Sequence, residues 1–161
     1  MGLDMYLSKK TYVQQWDHQS PEETYNVVVT QGGNSVDHIQ PKRVSYVEEQ
    51  VGYWRKANAI HKWFVDNVQD GNDNCSTYFV DIPDLMNLLD VCKEVKNNPE
   101  KAEELLPPQE GFFFGDVSID QYYFHDIDHT IEIIEGVLSE QVIAKNGRAF
   151  YPSDFYYSSS W

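Results

Sequence analysis

Three observations predict an α+β fold, mostly antiparallel, in a single compact domain over residues 1–161. Runs rich in β-branched and aromatic residues are interspersed with stretches of helical period, without the strict alternation of a parallel βαβ fold. The length, 161 residues, suits one domain that can bury its own core. No internal repeat, low-complexity tract or linker divides the chain.

Residues 4–8 read as a short strand, and a loop-like stretch follows Lys9-Lys10 through Pro21. Residues 24–30 are the best strand candidate of the first half. Gln31-Gly32-Gly33-Asn34 ends that strand, and residues 43–47 are its candidate partner. Val47, Val51, Trp54, Ala57, Phe64 and Val68 then recur near helical spacing, with Glu48 and Glu49 where a helix N-terminus favours acids. The longest of about four helices is therefore expected near 48–69, closed by Asp70-Gly71. Residues 77–80 form a short strand. Asp81-Ile82-Pro83-Asp84 starts a second helix, with Leu85, Leu88, Leu89, Cys92 and Val95 on one face. A short third helix spans 99–106. The run 111–115, three Phe between glycines, reads as a buried central strand. A fourth helix carries Phe124, Ile127, Ile131, Ile134, Leu138 and Val142, and 149–161 returns to strand-like sequence.

Charge narrows the function. Twelve Lys+Arg against 26 Asp+Glu leave a net charge of −14, which repels phosphate backbones and anionic lipid. Direct nucleic-acid or membrane binding is not expected. The first thirteen residues lack a basic start followed by an apolar run, and nothing approaches ~18 consecutive apolar residues. A cytoplasmic setting is expected, with Cys75 and Cys92 as reduced thiols outside any C-x-x-C pair. Aromatic residues make up 14% of the chain, enough to leave rings at the surface for ligands or partners.

The scarce positive charge concentrates at 54–64. Helical spacing would place Trp54, Asn58 and His61 on one strip, with Arg55, Asn58 and Lys62 beside it. Arg supplies a planar fork for phosphate or carboxylate, Lys a point charge, and His a donor or relay. Trp54 or Trp63 would stack on a ring. Trp54, Arg55, Asn58, His61, Lys62 and Trp63 are thus the candidate ligand-binding residues. The competing reading makes the cations partners of surplus acids and the rings core.

His125 and His129, at i and i+4 beside carboxylates, are weak candidates for a divalent metal, lacking an intervening Glu and a third ligand. The run 70–74 has acids and amides but places Gly71 second, unlike a calcium loop. Neither a G-x-S-x-G nucleophile nor a phosphate-binding glycine motif occurs. No catalytic residue and no cofactor are assigned. The C-terminal Trp161 is expected to pack against the protein's own body.

The opening 1–7 (MGLDMYL), the segment 53–64 with the following 69–71, the run 111–115 and the closing 159–161 together resemble small acidic proteins encoded by bacteriophages and prophages. The resemblance covers nearly the full chain except 14–46, a candidate variable insertion. That family brings no established activity or active site. It implies an infected bacterial cytoplasm and an accessory role acting by binding, such as evasion of host defence. The leading expectation is sequestration of an anionic, nucleotide-like small molecule. An acidic inhibitor occupying a host nucleic-acid-binding protein is the second, and a metal-dependent hydrolase the third. Assembly into a homo-oligomer stays open.

Overall fold

Alternation in the first strand sets the architecture. Met5 and Leu7 are fully buried whereas Tyr6 and Ser8 are only half-buried, so one face of the strand meets a core and the other meets solvent. The computed structural model describes residues 2–161. Strand β1 (Asp4–Tyr12) is central in a four-stranded antiparallel sheet. It pairs on one side with β4 (Tyr46–Arg55) and on the other with β8 (Ser153–Ser160), and β5 (Tyr78–Val80) lies beyond β8. Two-residue hairpins, β2 (Thr30–Gln31) with β3 (Asn34–Ser35) and β6 (Val142–Ile143) with β7 (Ala149–Phe150), stand apart from this sheet.

Helices α1 (Asn58–Asn67), α2 (Ile82–Asn97), the single turn α3 (Ala102–Leu105) and α4 (Gln121–Leu138) complete the fold. The α+β class with a mostly antiparallel sheet and four helices is what the sequence predicts. The α2 stripe Leu85, Leu88, Leu89, Cys92 and Val95 is buried throughout, and Asp81 caps that helix by accepting from the Ile82 amide at 2.8 Å. On the sheet's inner face, Phe64 of α1 stacks on Tyr157 of β8 with centroids 3.9 Å apart. The outer face carries Tyr6, Tyr53, Tyr156 and Phe79, with the Tyr6 and Tyr53 rings 5.5 Å apart.

Several elements differ from the sequence-based expectation, beginning with the first strand, which runs on to Tyr12 where a loop is expected after residue 8. The expected helix 48–69 is half strand: β4 runs to Arg55 and α1 occupies only Asn58–Asn67. A β-bulge explains the misleading period. Leu7 faces Gly52 but Ser8 faces Gln50, leaving Val51 extra. The inward positions shift from odd to even across it, so Val47 and Trp54 fall seven residues apart, as on a helix. Residues 24–29 form no strand, and regular structure there is confined to the two-residue hairpin. The expected partner strand at 43–47 begins only at Tyr46, after a 3₁₀ turn at Pro41–Arg43. The expected buried strand 111–115 is a turn closed by the Phe114 amide donating to Gly111 O at 3.1 Å. There Phe114 is buried and Phe112 is 94% exposed. Val142 leaves the α4 stripe and sits exposed in β6.

Residues 14–46 contribute no buried side chain. Their base is pinned where the Val13 amide donates to Ser45 O at 2.9 Å and Tyr12 pairs with Tyr46. The segment leaves and re-enters the sheet at neighbouring positions. No helix among the described residues is long and apolar enough to cross a membrane.

Candidate functional site

Strand β4 ends at Arg55 and α1 starts at Asn58, so the chain must reverse within Lys56 and Ala57. Lys56 makes the turn in the left-handed region, φ 58°, which costs a residue with a Cβ about 1–2 kcal/mol. Its amide donates to Leu3 O at 2.8 Å, tying the turn to the start of β1. The Lys56 stem is threaded between two glycines. A Cβ on Gly115 would lie 3.2 Å from Lys56 Cβ, and one on Gly2 would lie 3.2 Å from Lys56 Cε. The Lys56 side chain is nevertheless exposed, so its ammonium is open to solvent. Lys56 belongs to no ion pair among the described residues.

Lys56 and Arg55 line one wall of a cleft of about 250 Å³. Arg55 is free to swing: its side chain is 62% exposed, and its nearest carboxylate, Asp4, is 4.0 Å from Nε. The loop after Gly115 and the first turns of α4 supply the rest of its charged and polar lining, with Asp116, Ser118, Asp120, Tyr122, His125 and Asp126.

Asn58 builds this lining rather than facing a ligand. Its Nδ2 donates to Phe114 O at 3.1 Å and Asp116 O at 2.8 Å, and its Oδ1 accepts from the Gln109 amide at 3.1 Å. One buried side chain thereby clamps the 109–116 loop to the start of α1. Two of the three carboxylates each have one oxygen engaged. Asp116 accepts from the Ser118 hydroxyl at 2.8 Å and its amide at 3.0 Å, which holds its carboxyl below the ordinary range. Asp120 caps α4, accepting from the Tyr122 and Tyr123 amides at 2.9 and 3.2 Å. Asp126 differs. No hydrogen-bond donor among the described residues meets its carboxylate, and burial pushes its pKa up to about 6 against the pull of His125 and His129.

Of the other sequence-predicted residues His125 also lines the cleft, and the rest do not converge here. Trp54 is core: its indole donates to Thr130 Oγ1 at 2.9 Å, and its ring meets Phe64 edge-on. His61 is fully buried. Its Nε2 lies 3.0 Å from an Asp73 oxygen and its Nδ1 lies 2.7 Å from the Tyr157 hydroxyl. A carboxylate can only accept, so Nε2 carries the proton and Nδ1 accepts from Tyr157. Burial holds the Tyr157 pKa well above its ordinary value, keeping the phenol a donor. The same Asp73 accepts from Trp161 Nε1 at 3.0 Å, so the C-terminal ring packs on the protein's own body. This network ties α1, the 69–77 loop and β8 together.

Lys62 pairs with Asp66 at 2.6 Å. With the buried Trp63 it borders a separate hollow of about 90 Å³ near Leu105 and Pro107. Arg148 lies at the exposed β6–β7 turn, where its amide donates to Asn146 Oδ1 at 3.0 Å. The His125 and His129 rings stack 6.4 Å apart, but His129 Nε2 donates to Tyr53 O at 2.9 Å. No group of three metal-ligating side chains occurs among the described residues. The thiol of Cys92 is buried and its pKa pushed up to about 12, far from a reactive thiolate.

Of the six candidates, the cleft therefore gathers Arg55 and Asn58, and it adds Lys56, Tyr122 and Asp126, which sequence reasoning did not single out. The bulge that disguised β4 also hid the turn at Lys56. Compared with protein families, with curated proteins and with solved structures, the chain has no match.

Proposed function

We propose that the protein acts by binding, holding a small anionic, nucleotide-like molecule in the cleft between the β4–α1 turn and the start of α4. The observation that carries this reading is Lys56, an exposed cation without an ion-pair partner among the described residues, set beside a cleft by a left-handed backbone and running past two glycines. Strain of this kind persists where surrounding structure over-determines it, and it clusters at ligand sites. An exposed ammonium can meet a phosphate without first giving up a carboxylate. Arg55 adds a planar fork that can close on the same group. In a chain of net charge −14, and in a cleft that also carries Asp116, Asp120 and Asp126, Arg55 and Lys56 are the groups able to hold an anion. The exposed ring of Tyr122 offers a stacking face at the mouth. In the phage setting that the resemblance implies, binding of this kind would sequester a host nucleotide.

The test is a calorimetric titration of ribose 5-phosphate and nucleoside monophosphates into the wild-type protein, Lys56→Met and Arg55→Ala. Lys56→Met keeps the stem between the glycines and removes only the charge. A charge-assisted hydrogen bond is worth about 1.5–3 kcal/mol, so each variant should bind about 10- to 100-fold more weakly with its melting temperature nearly unchanged. Binding equal to the wild type in both variants would remove this cleft as the site.

A further inference from the structure

The cleft is lined by two kinds of charged group, the cations Arg55 and Lys56 and the carboxylates of Asp116, Asp120 and Asp126, and the carboxylates have no role in holding a phosphate. Asp126 lines it from the second turn of α4, half-buried, with neither carboxylate oxygen hydrogen-bonded by a described residue. Only its backbone is engaged, Asp126 O accepting from Thr130 Oγ1 at 2.7 Å. Asp116 and Asp120 each commit one carboxylate oxygen, to the loop and to the helix cap, whereas Asp126 commits neither. The Asp126 carboxylate meets solvent and keeps both oxygens open to a donor. Here the space from which a donor can come is the cleft itself.

Resting on the reading of the cleft as a nucleotide site, we infer that Asp126 reads the base and that the base is guanine. Donors and acceptors select the base. A carboxylate only accepts, through two oxygens side by side. Guanine presents two adjacent N–H groups, at N1 and the 2-amino group, and so makes two parallel hydrogen bonds with it. Adenine and cytosine place a ring-nitrogen acceptor beside their amino group, which a carboxylate repels. Uracil and thymine flank their single N–H with carbonyls. With Lys56 and Arg55 on the phosphate, guanine is the one common base that satisfies Asp126 without an opposed lone pair. A bidentate pair of this kind contributes about 1–3 kcal/mol of discrimination.

Isothermal titration at pH 7.5 with guanosine, inosine and adenosine 5′-monophosphates and with ribose 5-phosphate tests this. The wild-type protein should bind the guanine nucleotide about 10- to 100-fold more tightly than the adenine nucleotide. The inosine nucleotide, which keeps N1–H but lacks the amino group, should fall between them. In Asp126→Asn the amide offers one donor and one acceptor, so the preference should move to adenine. Equal affinity for all four wild-type ligands overturns the base assignment and leaves the phosphate reading standing. No binding of any of them removes both. A guanine preference that survives Asp126→Asn unchanged assigns base reading to another group. The wild-type ranking through inosine decides the matter even where the variant does not fold.

Discussion

At the scale of single residues, Asp126 makes function and stability opposed quantities. Its folded pKa of about 6 lies above the ordinary 3.8, so the native state holds this proton more tightly than the unfolded chain does. Its contribution to stability is therefore best below about pH 4 and worsens as pH rises to 6, the reverse of a salt-bridged carboxylate. Discounted for a side chain that still meets solvent, the effect is about 1 kcal/mol. Asp126→Asn should thus raise the melting temperature by about 2–4 °C at pH 7.5 and by nothing at pH 4. Thermal unfolding at the two pH values checks this, and a loss of stability at pH 7.5 would mean that the carboxylate is structural. Residues differed in how legible they were. Arg55 was readable as a solvent-facing cation in a cation-poor chain. Lys56 was not, because its importance lies in a positive φ and in contacts with Gly2 and Gly115, which are distant in sequence. His61 looked like a ligand donor, yet the partners that hold it inside, Asp73 and Tyr157, arrive from the loop and from β8.

At the scale of elements, helices were legible where cap and stripe agreed. Asp81, Pro83 and the leucines fixed α2 in this way, and the apolar stripe marked α4, with Asp120 as its cap. Elements failed where tertiary structure broke a period. The bulge at Val51 turned strand spacing into apparent helix spacing. At 111–115, the left-handed Gly115 and the Asn58 clamp on the backbone made a turn of an apolar run. Gly52 shows how tightly the bulged strand is packed. A Cβ there would lie 2.9 Å from Ile133 Cγ2 and 3.1 Å from both Leu7 Cβ and Trp54 Cη2. Gly52→Ala should lower the free energy of unfolding in urea by about 1–3 kcal/mol without changing the slope. An unchanged midpoint would show that α4 can move off β4 at little cost. Such movement would also loosen the cleft, since the first turns of α4 line it.

For the whole molecule, the division is between a one-sided sheet, which was predictable as α+β, and the place where its connections meet. The β4–α1 turn, the 109–116 loop and the start of α4 come from separate stretches of sequence and converge only through the fold. The acidity is global, and the positive wall of Arg55 and Lys56 is local to this convergence. The 14–46 excursion lies outside the core and supplies no lining to the cleft. The central claim is that this cleft, and not the Lys62–Trp63 hollow, receives the ligand. The most direct measurement is a map of backbone amide chemical-shift changes on titration with guanosine 5′-monophosphate. Shifts should cluster at 55–58, 115–118 and 122–127 and leave 62–67 and 105–106 unmoved. Shifts centred on 62–67 and 105–106, or none at saturating nucleotide, would contradict the account.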